Sequence, residues 1–228
     1  MNYLKQFKII DISQPIEKRT ACFPGDTPFD FSLQTSRAES GSFNLTAYQM
    51  SPHVGSHADA PAHVLSKMER GALAGSMPLD PFIGPCMVID LSPCHAEITL
   101  KDLEGKLDRT EVPSRILFRT RSHSHFDQFE EENAYFSTQV IDFLSSRGVL
   151  LIGIDSPSVD ATASKRLDAH HALISHNMFW LENLELDGAK EGVYFLSALP
   201  LKLMELEAAP VRAVLLEFLP DRKGDPSC

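Results

Sequence analysis

Apolar and polar positions alternate, or apolar positions run together, in eight stretches of this chain. They are Lys8–Ile12, Phe29–Leu33, Phe43–Met50, Met87–Leu91, Arg115–Thr120, Val149–Ile154, Val193–Leu199 and Val211–Phe218. A period of two sends successive side chains to opposite faces, and a short apolar run suits a strand buried on both faces, so each stretch predicts a β-strand. A helix is expected from Thr138 to Arg147, where Val140, Ile141 and Leu144 share a face, Ser137 can cap the first turn and Gly148 can end the last. A shorter helix is expected after Thr99. Strand, helix and strand across residues 115–154 read as a crossover unit. Strands outnumber helices, so the pattern predicts an α/β fold, a single mixed, strand-rich domain.

Composition narrows the class without selecting an activity. The 228 residues are 43% apolar and 23% charged, ordinary for one globular domain. The domain is expected over residues 1–219, with 220–228 as a loose tail. A formal net charge of −10 with no basic patch argues against nucleic acid as a partner. No span approaches transmembrane length, and Met1–Lys8 lacks the apolar stretch of a signal peptide, so a cytoplasmic protein is expected, with no membrane partner. Cys22, Cys86, Cys94 and Cys228 form no C-x-x-C pair and are read as free thiols. No G-x-S-x-G elbow is present, and nothing in the sequence marks Cys22 as activated, which disfavours a serine or cysteine hydrolase.

The chemistry concentrates in residues 52–63, Pro-His-Val-Gly-Ser-His-Ala-Asp-Ala-Pro-Ala-His. His53, His57, Asp59 and His63 are spaced by four, two and four residues, so an extended chain points all of them one way. Pro52, Gly55 and Pro61 argue against a helix. A straight strand fails too, because four residues span roughly 13 Å, too far for two ligands that each sit about 2 Å from one ion. The chain must therefore bend between His53 and His57, and Gly55 is placed to allow it. The plain alternative is a group of structural histidines near a turn. Three imidazoles around a carboxylate that can bridge two ions favour metal binding over it.

A second run, residues 168–186, carries His170, His171, His176 and Glu182 around an apolar segment. An unpaired Glu182 there would be costly to bury, and a nearby cation removes that cost. If the segment is a strand, Trp180 and Glu182 share a face. Core packing is the simpler reading of the indole, with a place in the pocket wall as the alternative. Asp155 ends the apolar run 150–154, where it can orient a ligand histidine or cap the following Pro-Ser turn; the sequence leaves both open.

These residues resemble the cyclase-type metal-dependent hydrolase family, and within it the bacterial kynurenine formamidase (arylformamidase) group. The first run is similar to the family's H-x-G-[ST]-H-x-D-A-P-x-H signature. Further matches are Gly153-Ile-Asp155-Ser-Pro-Ser158-Val-Asp160, Ser164-Lys165, Asp168-Ala-His170-His171 and Leu181-Glu182. Phe23-Pro-Gly-Asp-Thr-Pro28, Pro78-Leu-Asp80, Gly84-Pro-Cys86, Arg119-Thr120 and Ala198-Leu-Pro-Leu201 extend the resemblance over residues 9–217. Two positions depart from it: Phe23 stands where that group usually has Trp, and Trp180 occupies a segment usually small or aliphatic.

The resemblance implies a β/β/α arrangement and two divalent metal ions, zinc by expectation and manganese as the alternative. His53, His57 and Asp59 would hold the first ion, and Asp59 would bridge to a second completed by His170 and Glu182. His63 would be the general acid/base, and Phe23 would contact the substrate ring. The implied activity is amide hydrolysis by metal-activated water, with N-formyl-L-kynurenine giving L-kynurenine and formate in tryptophan breakdown. Another aryl or cyclic amide, such as isatin, and a noncatalytic metal-binding module are the alternatives. A homodimer or larger homo-oligomer is implied as well.

Overall fold

The computed structural model describes residues 7–107 and 111–219; the expected tail lies outside the described residues. In chain order the first elements are β1 (Phe7–Asp11), β2 (Asp30–Thr35), the short α1 (Arg37–Ser40), β3 (Leu45–Gln49), β4 (His57–Asp59) and β5 (Ile83–Asp90). Then come β6 (Glu97–Ile98), β7 (Arg115–Arg119), β8 (Tyr135–Phe136), α2 (Thr138–Ser146) and β9 (Leu151–Ile154). The last are α3 (Asp168–Ser175), β10 (Phe179–Glu182), β11 (Gly192–Ser197), β12 (Ala208–Pro210) and β13 (Val214–Phe218).

Nine strands join in one mixed sheet, ordered β1-β13-β11-β5-β7-β9-β10-β4-β12. The four central strands β5, β7, β9 and β10 run parallel, and the flanking pairs are antiparallel. The expected crossover is present: β7, α2 and β9 join parallel neighbours. β2 and β3 form a separate antiparallel hairpin, and β6 pairs with β8.

The period-two pattern sorts the core into two layers. Val88, Leu117, Leu151 and Leu181 pack on one face of the sheet. Their chain neighbours Ile89, Ile116, Phe118, Ile152 and Trp180 pack on the other, where Val140, Ile141 and Leu144 of α2 and Leu173 of α3 cover them. Central strands covered on both faces read as continuous apolar runs, which is why β7 and β9 were legible in the sequence. Burying one such side chain contributes about 1.5–3 kcal/mol.

Ser137 caps α2 as expected, its hydroxyl accepting from the Val140 N–H at 3.4 Å, and Gly148 follows with φ 79°. The helix expected after Thr99 is a single 3-10 turn, Leu100–Leu103, held by a Thr99–Asp102 capping box. β4, β10, β12 and α3 carry too few residues, or too many polar ones, to declare themselves by periodicity. β4, β10 and α3 carry the site's residues, and β12 pairs with β4 beside them.

Candidate metal centre

The site is set by strand register. His57 and Asp59 of β4 flank Ala58, which packs into the apolar layer away from the helices, so both face the helix side. β10 pairs antiparallel with β4, with Leu181 opposite Ala58 and Glu182 opposite His57. Two segments more than a hundred residues apart in sequence thereby present their polar side chains to one spot.

The bend expected before β4 is present. Gly55 adopts φ 71°, a left-handed conformation, and a Cβ there would lie 2.9 Å from Ile16 Cγ1. His53 folds back beside His57, with ring centroids 5.0 Å apart. The expectation that Pro61 excludes helix holds except for one 3-10 turn, Pro61–His63. Proline takes its first position, where its missing N–H costs little. That turn brings His63 to 4.5 Å from His53 and 5.5 Å from His170 between ring centroids.

α3 supplies His170. Its N-terminal N–H groups are satisfied from a distance: Asp160 accepts from Ala169 N–H at 3.0 Å and His170 N–H at 3.1 Å. Asp160 also bonds His170 Nδ1 at 2.6 Å, which leaves Nε2 pointing inward. His57 is oriented likewise, with Nδ1 on the Gly55 carbonyl at 2.9 Å. Glu182 accepts from the Val159 N–H at 2.8 Å. Such partners fix ring orientation and tautomer at metal sites.

The inward atoms have the spacing of ligands. Asp59 Oδ1 lies 3.0 Å from His53 Nδ1 and 3.4 Å from His57 Nε2. Asp59 Oδ2 lies 3.5 Å from His170 Nε2 and 3.9 Å from His63 Nε2. Glu182 oxygens lie 3.3 Å from His57 Nε2 and 3.6 Å from His170 Nε2. Two ligands about 2 Å from a tetrahedral ion sit roughly 3.3 Å apart. Despite these approaches, His57 Nε2, Asp59 Oδ1 and His170 Nε2 are buried and make no well-aligned hydrogen bond among the described residues. Orphaned polar atoms in the interior are costly, and a cation at their focus satisfies all of them. His53, His57 and Asp59 can hold one ion; Asp59 with His170, and either Glu182 or His63, can hold another. Imidazole and carboxylate together suit zinc and its neighbours.

Charge follows the same geometry. Burial pushes Asp59 toward the neutral form, but the His53 charge and the close approach of the His170, His53 and His57 nitrogens outweigh it and hold its carboxyl well below the usual range. Burial lowers the histidines, yet the nearby Asp59 and Glu182 carboxylates push His57 up to about 10, and the Asp160 bond with the nearby Asp59 carboxylate pushes His170 up to about 10. Without a metal both therefore hold protons at pH 7. Their raised pKa values stabilise the metal-free fold fully below about pH 6.5, and that contribution is lost as pH rises toward 10. A ligand nitrogen must give its proton up. Metal uptake at pH 7 is expected to release at least two protons, since His53, also raised, must give up any it holds, and affinity to rise ~10-fold per pH unit for each proton displaced. Calorimetry in buffers of different ionisation heat checks this; a binding enthalpy independent of buffer contradicts it.

His63 differs from the others. It is about one-third exposed, facing a cavity of about 380 Å³. Burial, with His53 and His170 nearby, lowers its pKa against the pull of Asp59 and Glu182, so it is neutral at pH 7. Phe23 lines the same cavity, edge-on to Phe129 with centroids 5.2 Å apart. His171 is exposed, and His176 bonds Asp142 at 2.7 Å on the surface, so neither belongs to the centre.

Asp155 does neither thing considered for it. Its carboxylate accepts from the Thr120 N–H and hydroxyl and from the Arg121 N–H, which ties the end of β7 to the end of β9. Asp160 does the orienting instead; it closes the motif at 153–160, which was the available signal. Glu207, 3.3 Å from His53 Nε2, gave no signal in the sequence. Among the described residues Cys22, Cys86 and Cys94 are free, and burial pushes the Cys86 thiol well above its usual range, which makes it inert; Cys228 lies outside the described residues.

Comparison with known proteins agrees with this architecture. The Cyclase family model matches residues 10–161. A kynurenine formamidase of Bordetella pertussis is 43% identical over 212 residues, covering 92% of this chain and 99% of that protein. A solved structure described as a potential metal-dependent hydrolase with cyclase activity is 28% identical, with a TM-score of 0.76 over 94% of this chain and 100% of that one. Isatin hydrolase A of Labrenzia aggregata shares the fold at 22% identity, with a TM-score of 0.81 over 93% of this chain and 94% of that one. With the family model spanning more than half the chain and the relative nearly all of it, this chain belongs to the cyclase family of metal-dependent hydrolases.

Proposed function

We propose that this protein hydrolyses N-formyl-L-kynurenine to L-kynurenine and formate, using two divalent ions, zinc by preference. The observation that carries the metal half is the convergence of buried, unpartnered His57 Nε2, Asp59 Oδ1 and His170 Nε2. The relatives at about 40% identity over nearly full length support the substrate. In this reading His53, His57 and Asp59 hold one ion, and Asp59, His170 and Glu182 hold the other.

When bound, such cations lower the pKa of water to about 7 and polarise a carbonyl. The chain does the rest. Neutral His63, on the cavity side of the centre, takes a proton at Nε2 from the attacking water and returns it to the departing aryl amine, a poor leaving group as an anion. Phe23 and Phe129 offer an aromatic wall for the substrate ring. The single domain over 1–219 is read as one catalytic unit, cytoplasmic, with its thiols reduced.

A homodimer or larger assembly fits the β2–β3 hairpin, whose Phe31, Leu33 and Tyr48 are exposed. Among the described residues no helix is long and apolar enough to cross a membrane.

The test is a substrate panel with metal-replete protein whose size has been set by light scattering. Formate release from formylkynurenine well above ring opening of isatin supports the proposal. Preference for the cyclic amide transfers the chemistry to that substrate, and inactivity on every amide leaves a metal-binding module.

A further inference from the structure

Trp180 is the only tryptophan in the chain and is fully buried in the helix-side layer. Packing explains its ring but leaves its polar atom to be accounted for, since a buried indole N–H needs an acceptor. The register that sets Glu182 opposite His57 and Leu181 opposite Ala58, carried one residue further, sets Trp180 across from Asp59. Nε1 donates to Asp59 Oδ2 at 3.1 Å. The indole also stands edge-on to His170, with centroids 5.3 Å apart and planes at 89°.

The two oxygens of Asp59 face different partners. Oδ1 turns toward His53 and His57, and Oδ2 toward His170. A carboxylate rotates through a broad torsional well, so packing alone holds this orientation loosely. We propose that Trp180 is a positioning residue of the metal centre: its N–H fixes the rotation of the Asp59 carboxylate and presents Oδ2 to the cation held by His170 and Glu182. An ionised carboxylate oxygen accepts more than one bond, so the indole takes one direction and leaves another for the metal. Removing the donor makes the second cation order the carboxylate as it binds, and its affinity falls. The first cation, on Oδ1 with His53 and His57, is affected less. The inference rests on the two-ion reading above.

A single tryptophan permits a clean test. Biosynthetic replacement by 3-benzothienylalanine exchanges the N–H for sulfur while nearly keeping the ring shape, and 7-azatryptophan keeps the N–H. Trp180→Phe is a second route to the same loss of donor. Zinc binding is followed by chelator competition, and cobalt binding by absorption, with no substrate present. In the benzothienyl and Phe proteins the second ion should bind ~10–100-fold more weakly, the range typical of lost supporting contacts, and the first within about threefold of the parent. The azatryptophan protein should keep both affinities. Unchanged binding in the benzothienyl and Phe proteins overturns the proposal, as does equal weakening of both ions with lowered thermal stability, which marks a packing role. A parent protein that takes one ion only overturns the two-ion reading and this inference with it; failure on formylkynurenine touches neither.

Discussion

Asp59→Asn should strip the protein of most of its bound metal and lower turnover by roughly 10³-fold or more, the scale of losing metal-activated water altogether. The substitution preserves shape, so the core around it has little reason to rearrange. What changes is charge and acceptor count. Asp59 lies within 3.0–3.9 Å of four histidine nitrogens and accepts the Trp180 N–H. An amide keeps one acceptor oxygen and no negative charge, so it can bridge nothing. Metal content per chain and formate release on the same preparation measure the result. Glu207→Gln is the control: among the described residues its carboxylate meets the outer nitrogen of His53 and no other group of the centre, and the expected loss is tenfold or less. An Asp59→Asn protein with full metal content and turnover within tenfold of the parent contradicts the centre as described.

His63→Ala should lower turnover by about 10²–10⁴-fold, the usual worth of a positioned acid/base, while leaving metal content intact. The contrast with Glu182→Ala decides which of the two completes the second ion site. Both lie within ligand distance: His63 Nε2 is 3.9 Å from Asp59 Oδ2, and a Glu182 oxygen is 3.6 Å from His170 Nε2. Burial separates them. Glu182 is buried, where an uncompensated carboxylate is costly, whereas His63 is about one-third exposed on the cavity. Glu182→Ala should therefore lose metal and His63→Ala should not. The pH profile adds a second reading. His63 works as a base in its neutral form, and its pKa is lowered, so with metal kept saturating its protonation should give the parent an acid limb below the ordinary histidine range. That acid limb should disappear in His63→Ala. Equal metal loss in the two variants makes His63 a ligand.

Much of this was legible in the sequence because the informative patterns are local. The even spacing of His53, His57, Asp59 and His63, broken by Gly55, required a bent extended segment, and the chain bends there with φ 71°. The buried parallel strands announced themselves as apolar runs. Pairing was harder to read. β4 is three residues long and β10 four, so neither carries enough period to fix its neighbours. The register that puts Glu182 opposite His57 is a long-range property. Asp160 lies in the matched motif at 153–160, but its bond to His170 is not marked there, and Glu207 acts on a ligand 154 residues away, beyond any local pattern. Trp180 shows the limit best. Sequence offered packing or the pocket wall; the indole packs in the core and also bonds the carboxylate at the centre.

The most direct test is to add zinc stepwise to metal-free protein and record formate release from N-formyl-L-kynurenine at each loading. The rate should be near zero without metal, rise with loading, and level off at about two ions per chain. Formate release that is undiminished in thoroughly chelated protein, or that never appears at full loading, contradicts the account.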